Sequence, residues 1–106
     1  MSKFHPPIEV NSSEWEIIQA ILTKIIPDQE VFAFGSRAKF MAKPFSDLDL
    51  AIKGHSPLNL DLLADLSNAF SDSNLSYKVD IVEWSKISDA FREIIIKDGV
   101  LIKKSF

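Results

Sequence analysis

The chain has 106 residues, no cysteine and a formal net charge of −3, and its length suits one domain spanning residues 1–106. Without cysteine it forms no disulfide or thiolate metal site, and its mildly acidic balance argues against direct nucleic-acid binding, which needs a basic surface. No apolar run approaches the roughly 20 residues of a membrane span, and the first residues lack the apolar core of a signal peptide, which predicts a cytoplasmic protein with no membrane partner.

The beginning of the chain predicts an extended arm followed by a helix. Two consecutive prolines keep residues 1–11 out of an ordinary helix. Ser13 and Glu16 have the spacing of a capping box, and apolar residues then recur at helical intervals until Pro27. We therefore expect the first helix over residues 13–26, with one apolar stripe facing the core.

Two strands are predicted next, separated by a glycine turn and a short helix. Residues 30–34 are β-branched and aromatic, which is typical of a strand, and Gly35 ends them. Residues 37–42 contain good helix formers before a proline, which predicts one or two helical turns. Residues 46–52 alternate between polar and apolar side chains and therefore predict a half-buried strand.

Two more helices are predicted in the second half of the chain. Ser56, followed directly by a proline, has the pattern of a helix start, and the apolar spacing continues to about Ser71. The last helix is predicted to begin after Ser85 or Ser88 and to end near Lys97, because a glycine follows shortly afterwards.

Two further strands complete the predicted sheet. Residues 77–82 are rich in strand formers, and residues 100–102 are apolar and predict a short edge strand. Helices and strands thus alternate along the chain, with a strand at the end. This order predicts an α+β fold in which helices pack on a small β-sheet.

The first candidate site is the turn after the first strand, where Gly35, Ser36 and Arg37 follow one another. Glycine permits a sharp turn and a close approach of a ligand to the backbone. The following amides suit a phosphate, and serine and arginine add a hydroxyl donor and a cation. A glycine–serine pair after a strand is more often an ordinary turn, so the turn alone does not identify a phosphate site.

Asp47 and Asp49 form a second candidate site, because residues i and i+2 of a strand point to the same face. Two adjacent carboxylates repel each other unless a cation lies between them, and aspartate is a poor strand residue. A solvated strand face is the alternative interpretation. The unfavourable charge and strand propensity favour a divalent cation, and oxygen ligands favour Mg²⁺ or Mn²⁺ over zinc.

Asp80 is a third candidate, flanked on both sides by strand-forming apolar residues. If the strand 77–82 lies beside the strand 46–52, the carboxylate of Asp80 can complete a cluster with Asp47 and Asp49. An exposed strand residue without a ligand is an equally open interpretation of Asp80 alone.

Taken together, Gly35-Ser36, Asp47-x-Asp49 and the later strand residue Asp80 resemble the nucleotidyltransferase signature of the DNA polymerase beta-like superfamily. More narrowly, the chain resembles the minimal nucleotidyltransferase (MNT) domain, the antitoxin half of HEPN/MNT toxin–antitoxin systems. The resemblance covers nearly the whole chain. It implies the fold of that superfamily, a small mixed sheet with packed helices.

The resemblance implies that the three aspartates form a metal-dependent catalytic centre. Asp47 and Asp49 would hold two Mg²⁺ ions, and Asp80 would hold one of them and help to deprotonate the acceptor hydroxyl. Two such ions stabilise both the attacking and the leaving oxygen of an in-line displacement. The implied reaction transfers AMP from ATP to a tyrosine hydroxyl of a HEPN-domain ribonuclease toxin and silences the toxin.

The resemblance also implies how the nucleoside triphosphate is bound. Gly35 and Ser36 would bind its β- and γ-phosphates, with Arg37 assisting. ATP is the nucleotide expected from the family. Phe40 departs from the family pattern, since many members have a glycine at this position.

Other functions remain open at this point. The predicted core uses nearly the whole chain, so the acceptor is expected to be small or to belong to another protein. Nucleotide transfer to a small hydroxylated molecule is therefore one alternative, and a non-catalytic antitoxin that only occludes its partner is another. A two-metal nuclease is a third, although a nuclease needs no triphosphate site.

Overall fold

Three α-helices and four β-strands form the part of the chain that the computed structural model describes, residues 5–54 and 58–105. In chain order they are α1 (Ser12–Ile25), β1 (Glu30–Phe34), β2 (Leu48–Lys53), α2 (Leu60–Ser71), β3 (Val79–Glu83), α3 (Asp89–Asp98) and β4 (Val100–Lys103). A 3₁₀ turn, Trp84–Lys86, joins β3 to α3. The predicted α+β class is confirmed, and no helix in these residues is long and apolar enough to cross a membrane.

The four strands form one mixed sheet in the order β3-β2-β1-β4. Strand β1 pairs antiparallel with β2 and with β4, while β2 pairs parallel with β3. Parallel neighbours need a crossover connection, and α2 provides it between β2 and β3. The register places Asp49 beside Asp80 on one side and beside Phe34 on the other, so these three side chains share one face of the sheet.

The hydrophobic core lies between the other face of the sheet and the helices α1 and α2. Alternate strand residues point into this core and are fully buried, among them Val31, Ala33, Leu48 and Leu50. The helices contribute buried apolar residues spaced four apart, namely Ile18 and Leu22 in α1 and Leu66 and Phe70 in α2. Because strand side chains alternate between faces, burying the leucines of β2 turns Asp49 away from the core.

The N-cap of α1 is Asn11 rather than the predicted Ser13. The side-chain oxygen of Asn11 accepts a hydrogen bond from the amide of Glu14 at 2.8 Å, and Glu14 Oε1 accepts one from the amide of Asn11 at 2.8 Å. This reciprocal pair is a capping box. The predicted pair of Ser13 and Glu16 has the same spacing, so spacing alone could not distinguish the two.

The N-caps of α2 and α3 can be compared with the predicted helix starts in the same way. Ser56 and the proline after it lie outside the described residues, and the structure has Asn59 as the N-cap of α2. Of the two caps considered for the last helix, Ser88 is confirmed rather than Ser85. Its hydroxyl oxygen accepts a hydrogen bond from the amide of Phe91 at 3.1 Å.

The short helix predicted over residues 37–42 is not formed. Residues 36–40 form consecutive turns instead, and Phe40 has a φ of 57°. That left-handed conformation is incompatible with a right-handed helix, so the prediction from local helix propensity was wrong here.

The predicted N-terminal arm packs against the rest of the protein where the structure describes it. Residues 5–10 contain no helix or strand, and residues 1–4 lie outside the described part. Ile8 is 1% exposed and belongs to the core. Glu9 contacts the loop after β1, since its Oε1 accepts a hydrogen bond from the amide of Ala42 at 2.9 Å.

Candidate active site

Three carboxylates meet at one end of the parallel strand pair. Asp49 and Asp80 are register partners in β2 and β3, and neighbouring strands lie about 4.8 Å apart. Asp47 stands two residues before Asp49, immediately before β2 begins. Asp47 is exposed, while Asp49 and Asp80 are half-buried. The structure thus brings together the three aspartates that the sequence singled out.

The negative charges of this cluster influence one another. Burial raises the pKa of Asp49, and the neighbouring carboxylates of Asp80 and Asp47 raise it further. The ammonium of Lys78 lies 3.2 Å from Asp80 Oδ1, but the side chain of Lys78 is exposed and that of Asp80 is partly so, and such ion pairs contribute little. A divalent cation between the carboxylates would remove their repulsion.

The donor set of the cluster suits a hard divalent cation. Carboxylate oxygens are the ligands that Mg²⁺ and Mn²⁺ prefer. Within residues 5–54 and 58–105, no three carboxylate or imidazole groups are arranged to hold a metal ion by themselves. Mg²⁺ is usually bound by one or two carboxylates together with substrate phosphates, so the aspartates fit an ion that also binds a nucleotide.

The turn after β1 lies directly against the carboxylate cluster. Gly35 has a φ of 76°, in the left-handed region that favours glycine, and a Cβ at this position would clash with Asp49 Oδ2. The amides of Ser36, Arg37 and Ala38 donate no hydrogen bond to another described residue. Successive amides of this kind can form a concave anion site, so a phosphate could bind beside Asp49.

Arg37 has contacts other than the expected one to a phosphate. Its side chain is buried, with 5% exposed. The guanidinium nitrogens Nε, Nη1 and Nη2 donate hydrogen bonds to the carbonyls of Ser46, Glu9 and Pro44 at 2.9, 2.9 and 3.0 Å. Its Cζ lies 3.7 Å from the ring centroid of Tyr77. These donors are therefore directed at the protein's own backbone and not at the Gly35 turn.

An aromatic residue beside the cluster, together with the ring that packs on it, was missed from the sequence. Phe34 is the register partner of Asp49 on β1, and its ring lies edge-to-face with that of Phe91, with centroids 5.5 Å apart. Strand register could not be read from the sequence, so nothing there connected these rings to the aspartates. Lys78 could have been found, since it stands two residues before Asp80 and a strand would place both on one face.

Comparison with known sequences agrees with this arrangement. A family model described as polymerase beta nucleotidyltransferase matches residues 16–105. The chain is also 44% identical over 97 residues to MntA of Haemophilus influenzae, a probable protein adenylyltransferase. That match covers 92% of this chain and 85% of the relative.

Solved structures with a similar fold include two from toxin–antitoxin systems. The first is a toxin–antitoxin crystal structure with AMP-PNP, with a TM-score of 0.72 and 22% identity over 86% of this chain and 73% of the other. The second is an MNT antitoxin in complex with tri-AMPylated HEPN toxin of Shewanella oneidensis, with a TM-score of 0.65 and 21% identity over 88% and 71%. At these identities the likeness concerns the fold.

Proposed function

This chain belongs to the polymerase beta nucleotidyltransferase family, and we propose that it transfers AMP from ATP to a hydroxyl group of a partner protein. The observation that carries the proposal is the pairing of Asp49 with Asp80 beside the Gly35 turn. This arrangement puts cation ligands and backbone amides for phosphate in one place. Transfer of a phosphoryl group needs both, because charge builds up on several oxygens at once.

A HEPN toxin is the partner that we propose, with a tyrosine as the acceptor. The Haemophilus influenzae relative is a probable protein adenylyltransferase, and one structure of similar fold is an MNT antitoxin bound to an AMPylated HEPN toxin. Transfer of AMP would make this chain an antitoxin that acts by modifying its partner. The reaction would take place in the cytoplasm, where ATP is available.

The turn after β1 and the three aspartates would bind the triphosphate. The amides of residues 36–38 and the Ser36 hydroxyl would donate hydrogen bonds to the β- and γ-phosphates, while Gly35 lets these phosphates approach the backbone. The carboxylates of Asp47, Asp49 and Asp80 would hold two Mg²⁺ ions, or Mn²⁺ in their place. Magnesium, when bound, neutralises phosphate charge and stabilises the leaving pyrophosphate.

Asp80 would accept the proton of the acceptor hydroxyl. The hydroxyl oxygen of the acceptor attacks the α-phosphorus of ATP, and the bond from this phosphorus to the oxygen bridging to the β-phosphate breaks. Pyrophosphate leaves with that bridging oxygen, and a carboxylate oxygen of Asp80 takes the hydroxyl proton. The side chain of Asp80 is 42% exposed, so a hydroxyl on another molecule can reach it.

The test uses ATP labelled at the α-phosphate, with Mg²⁺ and the purified complex of this chain with its HEPN partner. We expect label on the partner with the wild type. The double variant Asp47→Asn/Asp49→Asn should reduce the labelling rate by at least about 100-fold, because it removes cation ligands from the transfer site. The matched control Asp65→Asn/Asp72→Asn also removes two carboxylates, both exposed and outside the cluster, and should label normally.

Each other outcome would replace the proposal by a specific alternative. Normal labelling by Asp47→Asn/Asp49→Asn would show that these aspartates are not the catalytic centre. An unlabelled toxin that both the wild type and this variant still neutralise would show inhibition by occlusion. Label on a small molecule, with none on protein, would show a small hydroxylated acceptor.

A further inference from the structure

The second half of the loop between β1 and β2 is held by the side chain of Arg37. The loop starts at the Gly35 turn and ends at Asp47, so it connects the proposed phosphate site with the proposed cation site. Residues 41–47 belong to no helix or strand. Inside this stretch, the amides of Lys43 and Ser46 donate to Ser46 Oγ at 2.9 Å and to Lys43 O at 3.0 Å. At its start, the amides of Met41 and Ala42 donate to Ser36 O and to Glu9 Oε1, both at 2.9 Å.

Arg37 joins the two ends of this loop. It directly follows Ser36, and its Nε donates to the carbonyl of Ser46, the residue before Asp47, at 2.9 Å. Its Nη2 donates a second hydrogen bond to the carbonyl of Pro44 at 3.0 Å. The pairing of β1 with β2 ends at Phe34 and Asp49, and beyond it the guanidinium is a further link between the phosphate turn and Asp47.

The same guanidinium also connects the loop to two segments outside it. Its Nη1 donates to the carbonyl of Glu9 at 2.9 Å, and the amide of Glu9 donates back to the carbonyl of Arg37 at 2.7 Å. The ring of Tyr77, stacked at 3.7 Å, stands three residues before Asp80. A rigid planar cation that stacks and donates at once is a role that lysine does not reproduce.

We infer that Arg37 is a positioning residue for AMP transfer, which sets the place of Asp47 relative to the phosphate turn and relative to Asp80. This inference rests on the proposed function. The 5% exposure of Arg37 and the hydrogen bonds of its three guanidinium nitrogens to backbone carbonyls favour this role over a direct phosphate contact. Small displacements of a reacting group reduce transfer rates strongly while substrate binding is largely kept.

The first experiment compares Arg37→Lys with a core variant of similar stability. We expect Arg37→Lys to lower kcat at least about tenfold while the KM for ATP changes less than about threefold, since geometry is lost but the amides that bind phosphate remain. Leu22→Ala, fully buried in α1, serves as the control with a lowered melting temperature. Below its melting temperature it should keep the wild-type kcat.

A second experiment tests whether a free guanidinium group restores AMP transfer when the side chain of Arg37 is removed. In Arg37→Ala, ethylguanidinium at concentrations that do not unfold the protein should raise kcat, because it can donate to the same carbonyls. Ethylammonium has the same charge but not the planar set of N–H donors, and it should not raise kcat. Rescue by both ions alike, or by neither, would overturn the positioning role.

A third measurement keeps the inference separate from the proposed function. Hydrogen exchange of the amides of residues 41–46 should accelerate in Arg37→Lys, and should not in Leu22→Ala measured equally far below its melting temperature. If the wild type transfers no AMP, the proposed function fails, and this measurement still tests whether Arg37 holds the loop. A rise in KM with unchanged kcat in Arg37→Lys would instead show a phosphate contact and overturn the inference.

Discussion

Phe40 has a backbone φ of 57°, in the left-handed region that favours glycine. For other residues this conformation costs about 1–2 kcal/mol, whereas glycine loses roughly 0.5–1 kcal/mol more backbone entropy on folding. The Phe40 side chain is 59% exposed, so its removal sacrifices little packing. We expect Phe40→Gly to raise the free energy of unfolding by about 0.5–1 kcal/mol, as measured by urea denaturation.

Met41→Gly is the matched control for this prediction. Met41 is the next residue, is 74% exposed and does not have a positive φ. Glycine at this position should therefore lower the free energy of unfolding by about 0.5–1 kcal/mol. Equal losses in the two variants would show that the backbone of Phe40 is not strained.

The two ends of this turn show what could be predicted for single residues. Gly35 was predicted as a turn residue, since glycine between a strand and a polar segment indicates a change of chain direction, and its φ is 76°. The similar conformation of Phe40 was not predictable from its own chemistry, because aromatic residues rarely adopt it. The glycine expected at this position from the family resemblance would fit the φ that the structure shows.

At the scale of elements, the incorrectly predicted helix has a tertiary cause. Residues 37–42 include two alanines, an arginine, a lysine and a methionine, and their good helix propensity amounts to only a few tenths of a kcal/mol per residue. A helix there would pull Arg37 away from the three carbonyls to which it donates. Removing a buried cation from its partners costs several kcal/mol, so these contacts outweigh local propensity.

The strand pairing was predictable only in part. Alternation in β2 correctly indicated that its leucines are buried and that Asp49 faces the other way. Whether β3 lies beside β2, and in which direction, depends on how α2 packs against the sheet. Only the parallel pairing aligns Asp49 with Asp80, which is why the three aspartates could be selected from the sequence but not assembled.

Glu83 connects the end of β3 to the segment that leads into α2. Its Oε1 accepts a hydrogen bond from the amide of Leu58 at 2.7 Å, and its Oε2 lies 2.8 Å from the ammonium of Lys86. Burial alone would raise the pKa of Glu83, but these two hydrogen bonds and the charge of Lys86 lower it. The ionised carboxylate is therefore the form that stabilises the fold.

Glu83→Gln should destabilise the protein at neutral pH and not at acid pH. Because the folded-state pKa is lowered, the contribution of Glu83 is complete above its ordinary pKa of 4.5 and is lost as the pH falls through the folded-state value. We expect a loss of about 1–3 kcal/mol at pH 7, measured by urea denaturation across the acid range. The exposed Glu93→Gln should change little, and a loss for Glu83→Gln that is independent of pH would contradict the role of the charge.

At the scale of the whole molecule, the two faces of the sheet have different tasks. One face packs with α1 and α2 and carries the stabilising core, while the other presents Asp49 and Asp80 next to each other. Like charges at neighbouring strand positions destabilise a sheet. The fold therefore tolerates an unfavourable cluster at its candidate active site, and the buried leucines of β2 on the opposite face compensate for it.

Asp49→Asn should separate stability from function across the molecule. Removal of this charge removes the cost of burying it and the repulsion by Asp80 and Asp47. In EDTA the variant should therefore melt about 2–5 °C higher than the wild type. Added Mg²⁺ should raise the melting temperature of the wild type, because a ligand that binds only the folded state stabilises it, and should affect the variant much less. Asp65→Asn, an exposed change on α2, should follow the wild type in both conditions. A lower melting temperature of Asp49→Asn in EDTA would show that this carboxylate makes net favourable contacts. The prediction that the three aspartates repel one another in the absence of a cation would then be wrong.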